Sequence, residues 1–239
     1  MDLKEAEILG GQEERHWYYA SKARALRRAL ERQPFSRIID VGAGSGFFSR
    51  MLLRQTTAQS ATCVDPGYTR EWSEAENGKP IEFRRDAEPG AADLVLMMDV
   101  LEHVDDDVAL VRQYTDRARP GTRVLASVPA FSWLWSAHDV FLEHRRRYTL
   151  PELTRVLAEA GLVNIEGFYF FASVLPAVAA IRLLSRGGEA QPRGSDLRRH
   201  SALINSVLTA VCRLESVVTR HNHLCGLTAF ALAETPDGR

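Results

Sequence analysis

A glycine-rich turn between a β-branched run and a helical pattern constrains this chain more than any other feature. Residues 37–46 read Arg-Ile-Ile-Asp-Val-Gly-Ala-Gly-Ser-Gly, and a helical pattern follows from Phe47. Glycines let the chain turn tightly out of a strand, and they let a ligand approach the backbone beside a helix N-terminus. Asp65 ends the next strand-like run, 61–65, and lies 19 residues beyond Gly46. A carboxylate at the tip of a second strand can accept both hydroxyls of a ribose. The turn and Asp65 together predict a nucleoside-cofactor site. The dinucleotide fingerprint is G-x-G-x-x-G. Here the third glycine comes one residue early, which disfavours a nicotinamide dinucleotide.

Hydrophobic period and punctuation order the rest of the chain. Residues 16–32 read as a basic helix with an apolar stripe of Tyr19, Ala23, Leu26 and Leu30, stopped by Pro34. Strands are predicted at 61–65, 81–87, 93–98, 123–128, 163–171 and 226–234, and a helix at 105–118. Thr149 and Glu152 have capping-box spacing at the start of another helix that runs to Gly161. Strands alternating with helices predict a doubly wound α/β fold. Residues 172–225 interrupt it with an apolar helix near 174–184, a polar linker, and a helix near 198–220 striped by Leu203, Val207, Val211, Leu214 and Val218. The expected organisation is a helical lid at 1–33, a core at 34–171, a helical insertion at 172–225, and a last strand and tail at 226–239.

Composition excludes several classes. The 239 residues are 45% apolar and 26% charged, which rules out collagen-like, low-complexity and wholly disordered chains. A formal charge of −1 gives no global electrostatic case for nucleic acid. Cys63, Cys212 and Cys225 form no C-x-x-C pair and read as reduced thiols. The opening 15 residues are acidic and lack an apolar stretch, unlike a signal peptide. The longest uncharged apolar run, 167–181, has 15 residues, short of the ~20 needed to cross a bilayer. The expectation is a cytoplasmic protein that could rest on a membrane through the insertion.

The acid two residues before Gly42, followed by G-x-G-x-G, resembles motif I of the class I S-adenosylmethionine-dependent methyltransferases. The resemblance runs from about residue 34 to 234. It implies a seven-stranded Rossmann-like sheet with an antiparallel last strand, and S-adenosyl-L-methionine as cofactor. By this resemblance Asp40, Gly42, Ala43, Gly44, Gly46, Asp65 and Pro66 hold the cofactor, Asp86 and Ala87 meet its adenine, and Asp99 lies at its methionine end. His16-Trp17-Tyr18, the loop Pro129–Asp139, the His144–Thr149 segment and the Gly226-Leu227-Thr228 strand together are similar to a bacterial branch, the type 11 and type 12 methyltransferases, with a helical insertion before the last strand.

Methyl transfer from a sulfonium is an in-line displacement, so positioning and removal of the acceptor proton are what the protein must supply. Asp99, Glu102 and His103 would share one helical face at i, i+3 and i+4. Asp-x-x-Glu-His resembles the Glu-x-x-Glu-His of ubiquinone-pathway O-methyltransferases and small-RNA 2′-O-methyltransferases, which hold a divalent metal there. The resemblance implies Mg²⁺ or Mn²⁺ on Asp99, Glu102, His103 and His144, with His138 as a substitute for His144. The alternative is that Asp99 touches the cofactor while Glu102 and His103 brace the loop, with His144 as general base.

His16, Trp17 and Tyr18 are expected to close over the site. Trp133, Trp135, His138, Arg147 and Tyr148 are expected to wall the acceptor pocket, because ligands in α/β sheets sit at the carboxyl ends of strands. The reading is a methyltransferase acting on a small molecule, foremost an O-methyltransferase of a secondary-metabolite, glycan or lipid pathway. RNA 2′-O-methylation, metal-independent N- or C-methylation and a non-catalytic partner protein stay open. The insertion is expected to cap the substrate, form a homodimer contact, or rest on a membrane beside a lipid-linked acceptor.

Overall fold

The computed structural model describes residues 9–31, 34–184 and 201–237. Eight strands form one sheet: β1 Arg37–Val41, β2 Ser60–Val64, β3 Trp72–Glu76, β4 Lys79–Arg84, β5 Leu94–Met98, β6 Arg123–Pro129, β7 Val163–Phe170 and β8 Thr228–Glu234. Their order is β3-β4-β2-β1-β5-β6-β8-β7. β4, β2, β1, β5 and β6 are mutually parallel, so their carboxyl ends share one edge. β8 runs antiparallel between β6 and β7. The doubly wound α/β prediction and the antiparallel last strand are both borne out.

Among the described residues seven α-helices flank the sheet: α1 Trp17–Leu30, α2 Phe47–Gln55, α3 Asp107–Thr115, α4 Ala137–Phe141, α5 Leu150–Glu159, α6 Leu175–Leu184 and α7 Ala202–Val218. Every residue of β5 is buried. Such a strand must be covered on both faces, and each large side chain contributes about 1.5–3 kcal/mol by leaving water. One apolar cluster packs Leu26, Phe48, Leu52 and Phe83 under α1 and α2, while another packs Val95, Val124, Leu153 and Leu157 under α5. α5 begins as expected, with Thr149 and Glu152 closing a capping box.

The structure departs from the sequence reading in three places. β3, the eighth strand, was not expected, because Trp-Ser-Glu-Ala-Glu is short and largely exposed. Its signal was the dipeptide Asn77-Gly78, both at positive φ, which makes the two-residue hairpin to β4. Second, residues 99–103 do not open an α-helix. Asp99 is left-handed at φ 56°, and only Leu101–His103 form a 3-10 turn. The shared helical face of Asp99, Glu102 and His103 is therefore lost. Third, α7 with the turn that follows it, Ala202–His221, is long and apolar enough to cross a membrane by length and composition. Counting uncharged runs missed it because Arg213 and Glu215 interrupt the apolar stretch. The polar linker expected over 185–200 lies outside the described residues.

Candidate active site

The turn after β1 is pinned to the tip of β2. The Gly42 and Ala43 N–H groups donate to the Val64 carbonyl at 2.8 and 3.1 Å. The Tyr68 hydroxyl donates to the Gly44 carbonyl at 2.6 Å. Gly44 N–H and Gly67 N–H donate to the two Asp65 oxygens at 3.1 and 2.8 Å. Gly42 and Gly46 both have positive φ, and a Cβ there would meet Val100 at 2.6 Å and Phe83 at 2.8 Å respectively. Glycine is thus required at both for conformation and for space. The result is a backbone cradle at the N-terminus of α2 with the Asp65 carboxylate at its rim. Pro66 follows Asp65 on the surface, and Asp86 is exposed just beyond β4 with Ala87 half-buried beside it.

Asp40 lies beneath the cradle, 1% exposed. Its Oδ2 accepts from the Ser49 hydroxyl at 2.8 Å, and Oδ1 is buried without a hydrogen-bond partner. Burial pushes its carboxyl up to about 6, although the Ser49 hydrogen bond pulls the other way. A carboxylate that is half satisfied beside a glycine cradle fits a ligand with polar groups to offer.

A different chemistry stands at the carboxyl ends of β5 and β6. Lys22 of α1 is fully buried, and its ammonium donates to Asp99 Oδ2 and to the Tyr18 hydroxyl. The Ser127 hydroxyl donates to Asp99 Oδ1 at 3.2 Å. Burial alone would pull Lys22 down, but the Asp99 charge holds it above the ordinary lysine value. Burial likewise favours protonated Asp99, yet the Lys22 charge and hydrogen bond bring its carboxyl below the usual range. Lys22 is a site residue that the sequence reading missed.

Glu102, His103 and His144 converge, with ligand-capable atoms all within 4.8 Å of one another. Glu102 is fully buried and neither carboxylate oxygen has a hydrogen-bond partner. Burial, and then the Asp99 charge, push its carboxyl well above the glutamate range. Asp99 is not in this cluster, because Lys22 and Ser127 hold it. The His144 segment is stitched on by Arg145, whose backbone N–H donates to the Glu102 carbonyl at 2.8 Å and whose Nε donates to the His103 carbonyl at 2.8 Å.

Asp139, also missed from sequence, orients His144. It is fully buried, lies 3.0 Å from His144 Nδ1, and takes Arg147 Nε at 2.7 Å and Nη2 at 3.0 Å. Burial opposes ionisation, but the His144 and Arg147 hydrogen bonds hold the carboxyl far below its ordinary value. An ionised carboxylate only accepts, so Nδ1 carries the hydrogen and Nε2 is the ring nitrogen left for a ligand.

The other expected acceptor residues divide. Trp133 is 46% exposed, and Trp135 and His138 are half-buried, on the loop and short helix after β6. His16 is buried as the residue preceding α1, and Tyr18 stacks on Phe171 at 5.0 Å. Trp17 meets Phe171 edge-on at 5.7 Å. Arg147 and Tyr148 are corrected to bracing residues. Both are buried: Arg147 is spent on Asp139 and the Ala130 carbonyl, and the Tyr148 hydroxyl lies 2.8 Å from Asp107 and 3.1 Å from the Leu101 carbonyl. Of the basic run 145–147 only Arg147 is turned inward, while Arg145 and Arg146 pair with Asp105 and Asp107 nearer the surface.

The methyltransferase-domain family matches residues 14–166. A ubiquinone biosynthesis O-methyltransferase of Xanthomonas euvesicatoria is 28% identical over 101 residues, 38% of this chain and 42% of that one. The chain thus spans less than half the length of the curated relatives it matches. A SAM-dependent methyltransferase from Archaeoglobus fulgidus superposes with a TM-score of 0.55 at 14% identity, covering 98% of both chains. The Haloferax volcanii complex of a methyltransferase with its activator Trm112 gives 0.56 at 17% identity, covering 95% of this chain and 93% of that one. At those identities the likeness is one of fold. The family match takes in the glycine cradle, Asp65 and the Glu102–His103–His144 cluster alike, and the chain belongs to the class I S-adenosylmethionine-dependent methyltransferases.

Proposed function

We propose that the chain methylates an oxygen of a small-molecule acceptor, with a divalent cation held by Glu102, His103 and His144. The observation that carries this is the buried Glu102 carboxylate, both of whose oxygens lack a partner while two imidazoles face it. An unpaired buried carboxylate is costly, and a cation would remove that cost. Carboxylate and imidazole donors suit Mg²⁺ or Mn²⁺. The match to ubiquinone biosynthesis O-methyltransferases supports oxygen as the acceptor atom.

S-adenosylmethionine supplies a methyl carbon on a sulfonium, and a divalent cation supplies Lewis acidity toward an acceptor hydroxyl. The chain's own residues do the rest. Gly42, Ala43, Gly44 and Gly46 let the cofactor approach the backbone, Asp65 takes the ribose hydroxyls, and Asp86 with Ala87 flanks the adenine. Lys22 fixes Asp99 at the methionine end and ties α1 over the site, so α1 with His16, Trp17 and Tyr18 serves as the lid. The acceptor loses its proton as the new C–O bond forms and the C–S bond breaks. With the cation on His144 that proton passes to water, whereas without a cation His144 Nε2 can receive it, because Asp139 holds Nδ1–H. Trp133, Trp135 and His138 form the wall toward the acceptor.

The Asp139–His144 pair also supports a second reading, a general base working without metal. RNA is disfavoured as acceptor by the net charge of −1 and because each arginine of the 145–147 run already pairs with an aspartate. Turnover of S-adenosylmethionine with catechol-like and vicinal-diol acceptors, before and after chelation, separates the readings. Loss of turnover on chelation and its return with Mn²⁺ is expected. Full turnover after chelation, lost in His144→Ala, would establish the base mechanism instead.

A further inference from the structure

α7 is mounted with its polarity reversed. The side that faces the protein carries Asn205, Thr209, Cys212 and Ser216 with one large apolar residue, Leu208, among them; Cys212 and Ser216 are at 0% and 2% exposure. Asn205 accepts from the Trp17 N–H at 2.9 Å and donates to the Arg15 carbonyl at 2.8 Å, and Arg28 donates to the Ser216 carbonyl. Glu215 takes the Ala172 and Ser173 N–H groups at 2.7 and 3.1 Å. The stripe of Leu203, Val207, Val211, Leu214 and Val218, which the period alone would bury, points outward instead. Leu203 is 75% and Leu214 74% exposed. An amphipathic helix in water normally does the opposite. At ~1.5 Å per residue, this apolar stripe runs roughly 25 Å.

The sequence around the stripe is basic. Residues 172–225 hold seven arginines, no lysine and three acids, a surplus of four in a chain whose net charge is −1. Where α7 meets α1, Arg24 feels the charges of Arg213, Arg28 and Arg27, of which Arg27 also pairs with Glu31 and Arg28 donates to the Ser216 carbonyl. Burial, and after it the repulsion of these three neighbours, pull Arg24 below its ordinary value. Like charge along the seam opposes pairing of two copies through this face. It favours a surface that is apolar just below a layer of negative charge, which is the description of an anionic lipid interface. The hydrogen bonds from α1 along the inner side of α7 keep that helix flat on the protein, so the geometry is that of a helix lying on a bilayer rather than crossing it.

We infer that α7 is a docking face for an anionic lipid surface, seating the Leu203–Val218 stripe in the acyl boundary and the Arg24–Arg213 cluster among the headgroup phosphates. The seat bears on the site, because Asn205 holds the first N–H of α1 and α1 delivers Lys22 to Asp99. The face needs no particular methyl acceptor and stands whether or not the metal reading holds.

Sedimentation of the full chain with phosphatidylcholine vesicles, with and without phosphatidylglycerol, tests it. Binding to the phosphatidylglycerol vesicles is expected, weakened by salt. It should drop about tenfold in the Val207→Glu/Leu214→Glu double variant, and several-fold in Arg213→Gln. S-adenosylhomocysteine binding unchanged in each variant shows that the fold persists. Three results overturn the inference: no sedimentation of the native chain, equal binding to vesicles lacking phosphatidylglycerol, or a dimer in analytical ultracentrifugation that the double variant converts to monomer. The last would make a second copy the occupant.

Discussion

The proposed cofactor end of the site comes from one βαβ unit, residues 40–67, and is positioned by backbone hydrogen bonds to Val64 and by glycines whose replacement would clash. The proposed acceptor end comes from Lys22, Asp99–His103, Asp139 and His144–Arg147, and is positioned by buried charge. One end is local and nearly neutral, whereas the other joins groups up to 77 positions apart through ion pairs. Backbone cradles tolerate side-chain change except at the glycines. Charged assemblies fail when any one member is removed, because the partner is left buried and unpaired.

That contrast breaks most sharply at Asp139. Asp139→Asn leaves Arg147 without its anion, and unfolding in urea is expected to show a loss of about 3–5 kcal/mol. The pH dependence carries a sign. The folded carboxyl is depressed, so its contribution is present above the unfolded value near 3.9 and is lost as pH falls below it. The native chain should therefore lose stability in acid more steeply than the variant.

Asp40, at the cofactor end, should behave in the opposite way. Its folded carboxyl sits at about 6, so the folded state keeps a proton that the unfolded state gives up. Stability from this group is greatest below about pH 4, declines by ~3 kcal/mol as pH rises to 6, and is flat above. Asp40→Asn should remove that decline. Unfolding free energies measured from pH 4 to 8 in both proteins check it; an unchanged slope in the variant would contradict it.

At the cradle itself, Gly46→Ala forces a side chain into φ 71° and against Phe83. A cost of about 2 kcal/mol in thermal unfolding is expected, with weaker S-adenosylhomocysteine binding. Gly44 carries a positive φ too, but its partners are Asp65 and Tyr68, so the effect on binding should exceed the effect on stability.

The same contrast explains what could be read from the amino-acid sequence. The alternation of strands and helices and the glycine turn between Asp40 and Asp65 were legible because turn chemistry and strand period are local signals. Lys22 was not, since its partner Asp99 is far along the chain. Yet a signal existed: Lys22 falls three residues after Tyr19 and four before Leu26, inside the apolar stripe of α1, where a lysine needs a buried anion. Asp139 lay among residues read as a pocket wall, and its bond to Arg147 depends on the turn after α4. Arg147 read as a pocket wall because spacing cannot reveal which carbonyls and carboxylates a fold brings near. α7 misled for a related reason. Period identifies an apolar stripe but not which side of the helix the protein will use.

The most direct test of the two-ended site is calorimetric titration of Mn²⁺ into chelator-stripped protein saturated with S-adenosylhomocysteine, in the native chain and in Glu102→Gln. The account predicts a single-site Mn²⁺ isotherm that disappears in the variant, while S-adenosylhomocysteine affinity stays within about twofold because the cradle is built independently. No Mn²⁺ isotherm in the native chain, or an equal one in Glu102→Gln, would contradict it.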